Sequence, residues 1–201
     1  MKTLVLTLLS AAFASPASVP AEPPADIVFD VLRNGQAFGR HEVRFDEGQD
    51  GALLVDIDIE LRAGLGPITV FRYEHAAEEV WRDGQLVSLE AETLKDGDRV
   101  AVDVERGSDA GLADLIPSSH WLGYDPALTR ILNTETGAPM PVEIEDLGLE
   151  TIETASGVIE ARHIRMTGTL TVDLWYDAEG RWVGCAFEAR GQTIRYVLQD
   201  V

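Results

Sequence analysis

Apolar and acidic residues alternate without a break from Val55 to Leu61, where Val55, Ile57, Ile59 and Leu61 are separated by Asp56, Asp58 and Glu60. Successive side chains of an extended chain point to opposite faces, so this pattern predicts a strand with one buried and one wet face. Asn34-Gly35 separates the apolar run Ile27 to Leu32 from the run Ala37 to Phe45. Asn-Gly accepts the positive φ angles of a tight turn, so a β-hairpin is expected there. Turn signals at Asp46 to Gly51, Gly64 to Pro67, Asp83-Gly84 and Asp96-Gly97 each lead into another such run, ending with Val100, Val102 and Val104 on one face. A meander of antiparallel strands accounts for all of them.

After Gly107 the alternation lapses. Ile116 to Pro141 carries Pro117, Pro126, Pro139 and Pro141, which predicts a long connection with a short helix from Pro126 to Leu132. Strands resume over Val142 to Ile144, Leu149 to Glu153 and Val158 to Thr167, and Gly168 marks a bend before Leu170, Val172 and Leu174. Asp177 to Gly180 makes the next turn, and Trp182 to Ala189 and Thr193 to Leu198 close the chain around Gly191. The reading is mainly β, about ten strands in a single antiparallel meander. Such a meander forms a curved sheet, half-barrel or barrel, here with one long, partly helical connection.

The first residues follow a different rule. Met1 to Ala14 reads as a signal peptide: Lys2 gives a positive start, Leu4 to Phe13 form an apolar run too short to span a bilayer, and Ala12-Phe13-Ala14 offers a cleavage site. A Pro/Ala-rich leader from Ser15 to Ala25 separates it from one β domain over residues 26–201. The expected location is the periplasm or the outside of the cell, with no transmembrane segment in the mature chain.

Composition narrows the partners. A net charge of -19, from 35 acidic against 16 basic residues, repels nucleic acid and anionic headgroups, while 45% hydrophobic residues are enough for a core. Solvated acidic faces explain the charge as solubility. Cys185 is the only cysteine, so the fold has no internal disulfide, and its alternation with Val183 and Phe187 marks it as a small buried hydrophobe.

Ser118-Ser119-His120-Trp121 is the most distinctive cluster, placing two hydroxyls, an imidazole and an indole in the one long connection. A hydrolase could use Ser118 or Ser119 with His120, though no Gly-x-Ser-x-Gly elbow accompanies them. Alternatively Trp121 packs across the mouth of the sheet as a lid, in which case Trp121→Ala would weaken ligand retention and leave folding nearly intact. Tyr73, Trp175 and Tyr176 are further candidates for lining a pocket, although aromatics equally build β cores. His41, His75, His120 and His163 stand singly, without the spacing of a metal motif, and no phosphate loop is present. The sequence therefore names no catalytic residue, metal or cofactor.

Four segments, Phe71 to His75, Glu79 to Gly84, Leu115 to Trp121 and Leu174 to Asp177 followed by Gly180 to Val183, resemble the exported bacterial family of domain of unknown function 6134 (DUF6134). The chain is more distantly similar to family 3108 (DUF3108), whose members are periplasmic β proteins. The resemblance implies a periplasmic protein with a curved antiparallel sheet, a shape similar to lipoprotein-carrier half-barrels that hold lipid in an apolar concavity; it carries over no activity. Three functions fit: a noncatalytic module binding an apolar ligand, lipid or envelope protein; a structural or assembly protein of the envelope with a filled core; or a hydrolase.

Overall fold

The computed structural model describes residues 22–65, 68–108 and 111–199; the expected signal peptide and most of the leader lie outside them. Two meanders account for most of the described residues. The first comprises β1 (Ile27–Arg33), β2 (Gln36–Glu47), β3 (Leu53–Leu65), β4 (Ile68–Arg82), β5 (Gln85–Lys95) and β6 (Asp98–Glu105). A small hairpin of β7 (Arg130–Leu132) and β8 (Pro139–Pro141) follows. The second meander comprises β9 (Glu143–Thr154), β10 (Gly157–Thr167), β11 (Thr171–Tyr176), β12 (Trp182–Ala189) and β13 (Gln192–Leu198).

The meanders join where β1 pairs antiparallel with β13, giving one 11-stranded sheet in the order β6-β5-β4-β3-β2-β1-β13-β12-β11-β10-β9. The sheet is not closed: β6 and β9 are its edges. The long connection 106–142 runs from one edge to the other, so it lies across the open side of the curve and carries β7 and β8 as a separate two-stranded piece.

Turn chemistry sets the registers. Asn34 and Gly35 (φ 49° and 76°), Asp83 and Gly84 (50° and 75°) and Asp96 and Gly97 (53° and 103°) each supply two left-handed residues in a row. That is the twist a two-residue hairpin needs. Gly39 answers a different demand: a Cβ there would sit 1.8 Å from the carbonyl oxygen of Glu60 across the β2–β3 ladder. This close approach accompanies a bulge, in which Val31 and Leu32 pair with Gly39 and Ala37 and leave Phe38 as the extra residue. The bulge brings Phe38 inward, where it stacks on Phe71 with ring centroids 5.5 Å apart.

Rows of cross-strand neighbours build the concave face. Phe45, Val55, Glu79, Leu89 and Val104 form one row; Val43, Ile57, Ala77, Ala91 and Val102 the next; His41, Ile59, His75 and Thr93 the third. Most of these side chains are buried, in one continuous core with Leu174, Trp182 and Cys185 from the second meander.

Two local expectations are corrected. No helix forms over residues 126–132. Ile131 and Leu132 are fully buried and extended against β8, and Leu132 exchanges backbone hydrogen bonds with Ile116 and Ser118. Two consecutive buried apolar residues tied down on both sides leave no room for a helical turn. The stretches Val142 to Ile144 and Leu149 to Glu153 are not separate strands either. They lie in or beside one strand, β9, because Gly148 (φ 88°) absorbs a bulge in which Asp146 and Gly148 pair with consecutive residues of β10.

Candidate functional site

The concavity has two ends, and the connection 106–142 treats them differently. At the end that carries turns 83–84 and 177–181, the connection plugs the sheet. Trp121 is 4% exposed and packs edge-on against Phe45 and Trp81. Its indole N–H and that of Trp81 both donate to Oε2 of Glu79, at 2.9 and 2.8 Å, and the Ser119 side chain bonds the same carboxyl group. Burial raises the affinity of Glu79 for a proton, and these three donors oppose the shift. Tyr176 donates to the carbonyl of His120 at 2.9 Å and Tyr124 to the carbonyl of Pro117 at 3.1 Å, fixing the plug to β11 and to itself. His120 adopts φ 68°, a left-handed conformation, and its Nδ1 lies 2.8 Å from the Tyr124 hydroxyl.

At the other end, beneath turns 34–35, 96–97, 168–170 and 190–191, the concavity stays hollow. A cavity of about 740 Å³ runs from β2–β5 across to β10–β13. Phe38, Ile59, Leu61, Phe71, Met166 and Ile194 supply its apolar wall. Arg33, Lys95, Glu188 and Arg190 stand toward the rim. The turn between β7 and β8 forms a side wall, held by Glu135, which accepts from Tyr73 at 2.8 Å and pairs with Lys95 at 3.5 Å.

The floor is polar. Ser118, Ser119, His120, His75 and His41 all border it. Ser118 Oγ lies 3.2 Å from Thr134 Oγ1, and His75 Nδ1 lies 2.8 Å from Thr93 Oγ1, its cross-strand partner. Burial pushes His120 down to about 4, and it lowers His75 and His41 as well. All three are therefore neutral imidazoles at neutral pH.

The candidates read from the sequence are thus divided. Ser118, Ser119, His120 and Tyr73 border the cavity. Trp121 and Tyr176 do not; both are buried in the plug, so Trp121 is part of the closed end and not a lid over the mouth. Trp175 is on the convex face, half-buried, because the inward positions of β11 are Val172, Leu174 and Tyr176. There it stacks on His163 at 4.8 Å, donates to Glu150 and borders a separate cavity of about 400 Å³. It pairs with Gly184, while Tyr176 pairs with Trp182, whose ring packs inward against Phe29 and His41. The serines and His120 do not form a nucleophile–base pair: Ser118 is bonded to Thr134, Ser119 to Glu79, and His120 Nδ1 to Tyr124. Cys185 is 2% exposed, and burial raises its thiol well above the usual range.

Sequence reading did not single out Phe38, Ile59, Phe71 or His41 as a group. Parity was the available signal: His41 falls on the same face as Val43 and Phe45. Among the described residues, no group of three His, Cys, Asp or Glu side chains converges to hold a metal ion, and no helix is long and apolar enough to cross a membrane.

Comparison with known proteins bears on the fold and the family. The structure is similar to a β-barrel-like protein of domain of unknown function DUF1849 from Brucella abortus, with a TM-score of 0.51 at 7% identity, covering 87% of this chain and 95% of that one. At this identity the likeness speaks for the fold alone. A second match, the crystal structure of MucB, has a TM-score of 0.34 at 16% identity and covers 86% of this chain and 50% of that one, and nothing is carried over from it. No curated protein matches the sequence. The family described as domain of unknown function (DUF6134) matches residues 29–199, nearly the whole described chain, and the protein belongs to that family.

Proposed function

We propose that this protein is an exported, noncatalytic module of the bacterial envelope that holds an apolar small molecule or lipid in the concave cavity. The observation that carries the reading is the hollow end of the sheet: about 740 Å³, with Phe, Ile, Leu and Met side chains along its wall above a polar floor. Ligand sites of small molecules have volumes of roughly 300–1,000 Å³ and combine apolar walls with a few polar groups. Side chains alone can just fill a barrel of about eight strands, so a wider curve is filled by an inserted segment or stays hollow. Here the connection fills one end and leaves the other hollow. Export rests on the signal peptide read over Met1 to Ala14, which supports a periplasmic or secreted location.

A structural role in the envelope, with function on the surface, is the competing reading; it has no use for the cavity. The experiment that separates them is native mass spectrometry of the mature protein purified from its own periplasm, followed by denaturing extraction. A reproducible extra mass that partitions into organic solvent supports the ligand-holding reading and gives the ligand class. A bare mass, together with failure of the purified protein to bind apolar probes, would move the function to the surface.

A further inference from the structure

The floor of the cavity holds one polar group that the fold does not satisfy. His41 is 3% exposed, borders the cavity, and has no hydrogen-bond partner on either ring nitrogen. The reason lies in the register. His75, two strands away in the same row, faces Thr93, and a hydroxyl meets its ring. His41 lies between Phe29 on β1 and Ile59 on β3, neither of which has a polar side-chain atom. Phe29, Trp182 and Tyr196 surround it with ring contacts at 6.3, 5.1 and 5.6 Å. His120 is likewise served, by Tyr124. Of the imidazoles on this floor, His41 is the one with no partner on either ring nitrogen.

Leaving a buried donor or acceptor unmade is costly, and native folds rarely do so without a reason. A neutral imidazole offers one N–H donor and one acceptor. An ionised ligand group would be badly placed beside it: the floor is buried, its other imidazoles are neutral as well, and the charged side chains bordering the cavity are Arg33, Lys95, Glu135, Glu188 and Arg190, none of them on the floor. We infer that His41 is a ligand-recognition residue, and that the cavity takes an apolar chain or ring bearing one uncharged hydrogen-bonding group, an alcohol or carbonyl, which lies deep against His41 with the hydrocarbon along the Phe38, Ile59 and Phe71 wall. This rests on the ligand-holding reading and sharpens it from any apolar molecule to one with a buried neutral polar group.

The test uses the mature protein with three probes: pyrene, which is fluorescent and wholly apolar, and 1-decanol and n-undecane, which match in length and differ in one hydroxyl. Displacement of pyrene is measured for wild type and for His41→Phe, which keeps a ring of similar size. The expected result is that 1-decanol loses about tenfold in affinity in His41→Phe, as for one lost hydrogen bond, while n-undecane and pyrene are unchanged. Equal effects on the two competitors, with pyrene still bound, would overturn the role of His41 and leave the cavity reading standing. Absence of pyrene binding to wild type would overturn both. Should His41→Phe fail to fold, nitrogen-15 spectra of wild type decide: 1-decanol is expected to shift the His41 ring nitrogens and n-undecane to leave them in place. Unmoved resonances at saturating 1-decanol would sink the inference.

Discussion

Strand β4 passes through both ends of the concavity, and its inward residues show how one sheet can be solid at one end and hollow at the other. Glu79 and Trp81 face the plug, where an inserted indole and a shared carboxyl group leave no space. Phe71, Tyr73 and His75 face the hollow, where the opposite wall is supplied by residues of β10 to β13 and not by an insertion. The difference does not come from strand composition, since both halves of β4 present large side chains inward. It comes from where the connection between the two sheet edges is tied down. Close packing is therefore concentrated at the plugged end, and open volume at the hollow end.

The largest expected effect tests the plug. Trp121→Ala should destabilise the protein by about 3–5 kcal/mol, as for other buried Trp truncations, and it also removes a donor from the buried Glu79 carboxyl group. Denaturant unfolding measures it; a loss below about 1 kcal/mol would show that the end is not packed as described.

The next effect concerns acid. His120 has a folded pKa of about 4 against an ordinary value of 6.5. Its neutral form is the one the fold accepts, so its contribution is complete above 6.5 and is lost as pH falls from there toward 4, a loss of about 3 kcal/mol. His120→Asn tolerates the left-handed backbone and should flatten that part of the pH–stability curve. Glu79 runs the opposite way. Its pKa is raised above 4.5, so its contribution is complete below that value and declines as pH rises through the folded pKa. Glu79→Gln should therefore gain on wild type with increasing pH, and a constant difference across the range would contradict a buried, proton-favouring carboxyl group.

Gly39→Ala tests the close approach that frames the rim. Its Cβ would meet the Glu60 carbonyl, and β2 and β3 would have to separate, at a cost of about 1–3 kcal/mol. Phe71→Ala is expected to be the mildest for folding, below about 1.5 kcal/mol, because this half-buried ring faces the hollow and its removal enlarges a space that already exists. It should instead weaken pyrene binding severalfold. A Phe71→Ala protein as unstable as Trp121→Ala would erase the distinction between the two ends.

Much of the strand plan was legible in the sequence because its causes are local. Alternation gives a strand its two faces, and Asn-Gly and Asp-Gly pairs supply left-handed turn residues. Residues 126–132 show the limit. Pro126 and the residues after it are compatible with a helical start, but the burial of Ile131 and Leu132 against β8 is decided by segments on both sides. The site was harder to read for the same reason. Ser118, Ser119, His120 and Trp121 stand together in the chain, yet the first three border the cavity while Trp121 points into the plug.

What the sequence determined by itself was the succession of strands, the turns between them and the parity of each inward face, since these depend on neighbours within a few residues. Only the tertiary structure decided that β1 pairs with β13, that the connection plugs one end of the curve, and that His41 lies beside Phe29 and Ile59 with no partner for its ring. Those are contacts between residues distant in the chain, fixed by ladder register and by the closing curve of the sheet, and no local pattern encodes them.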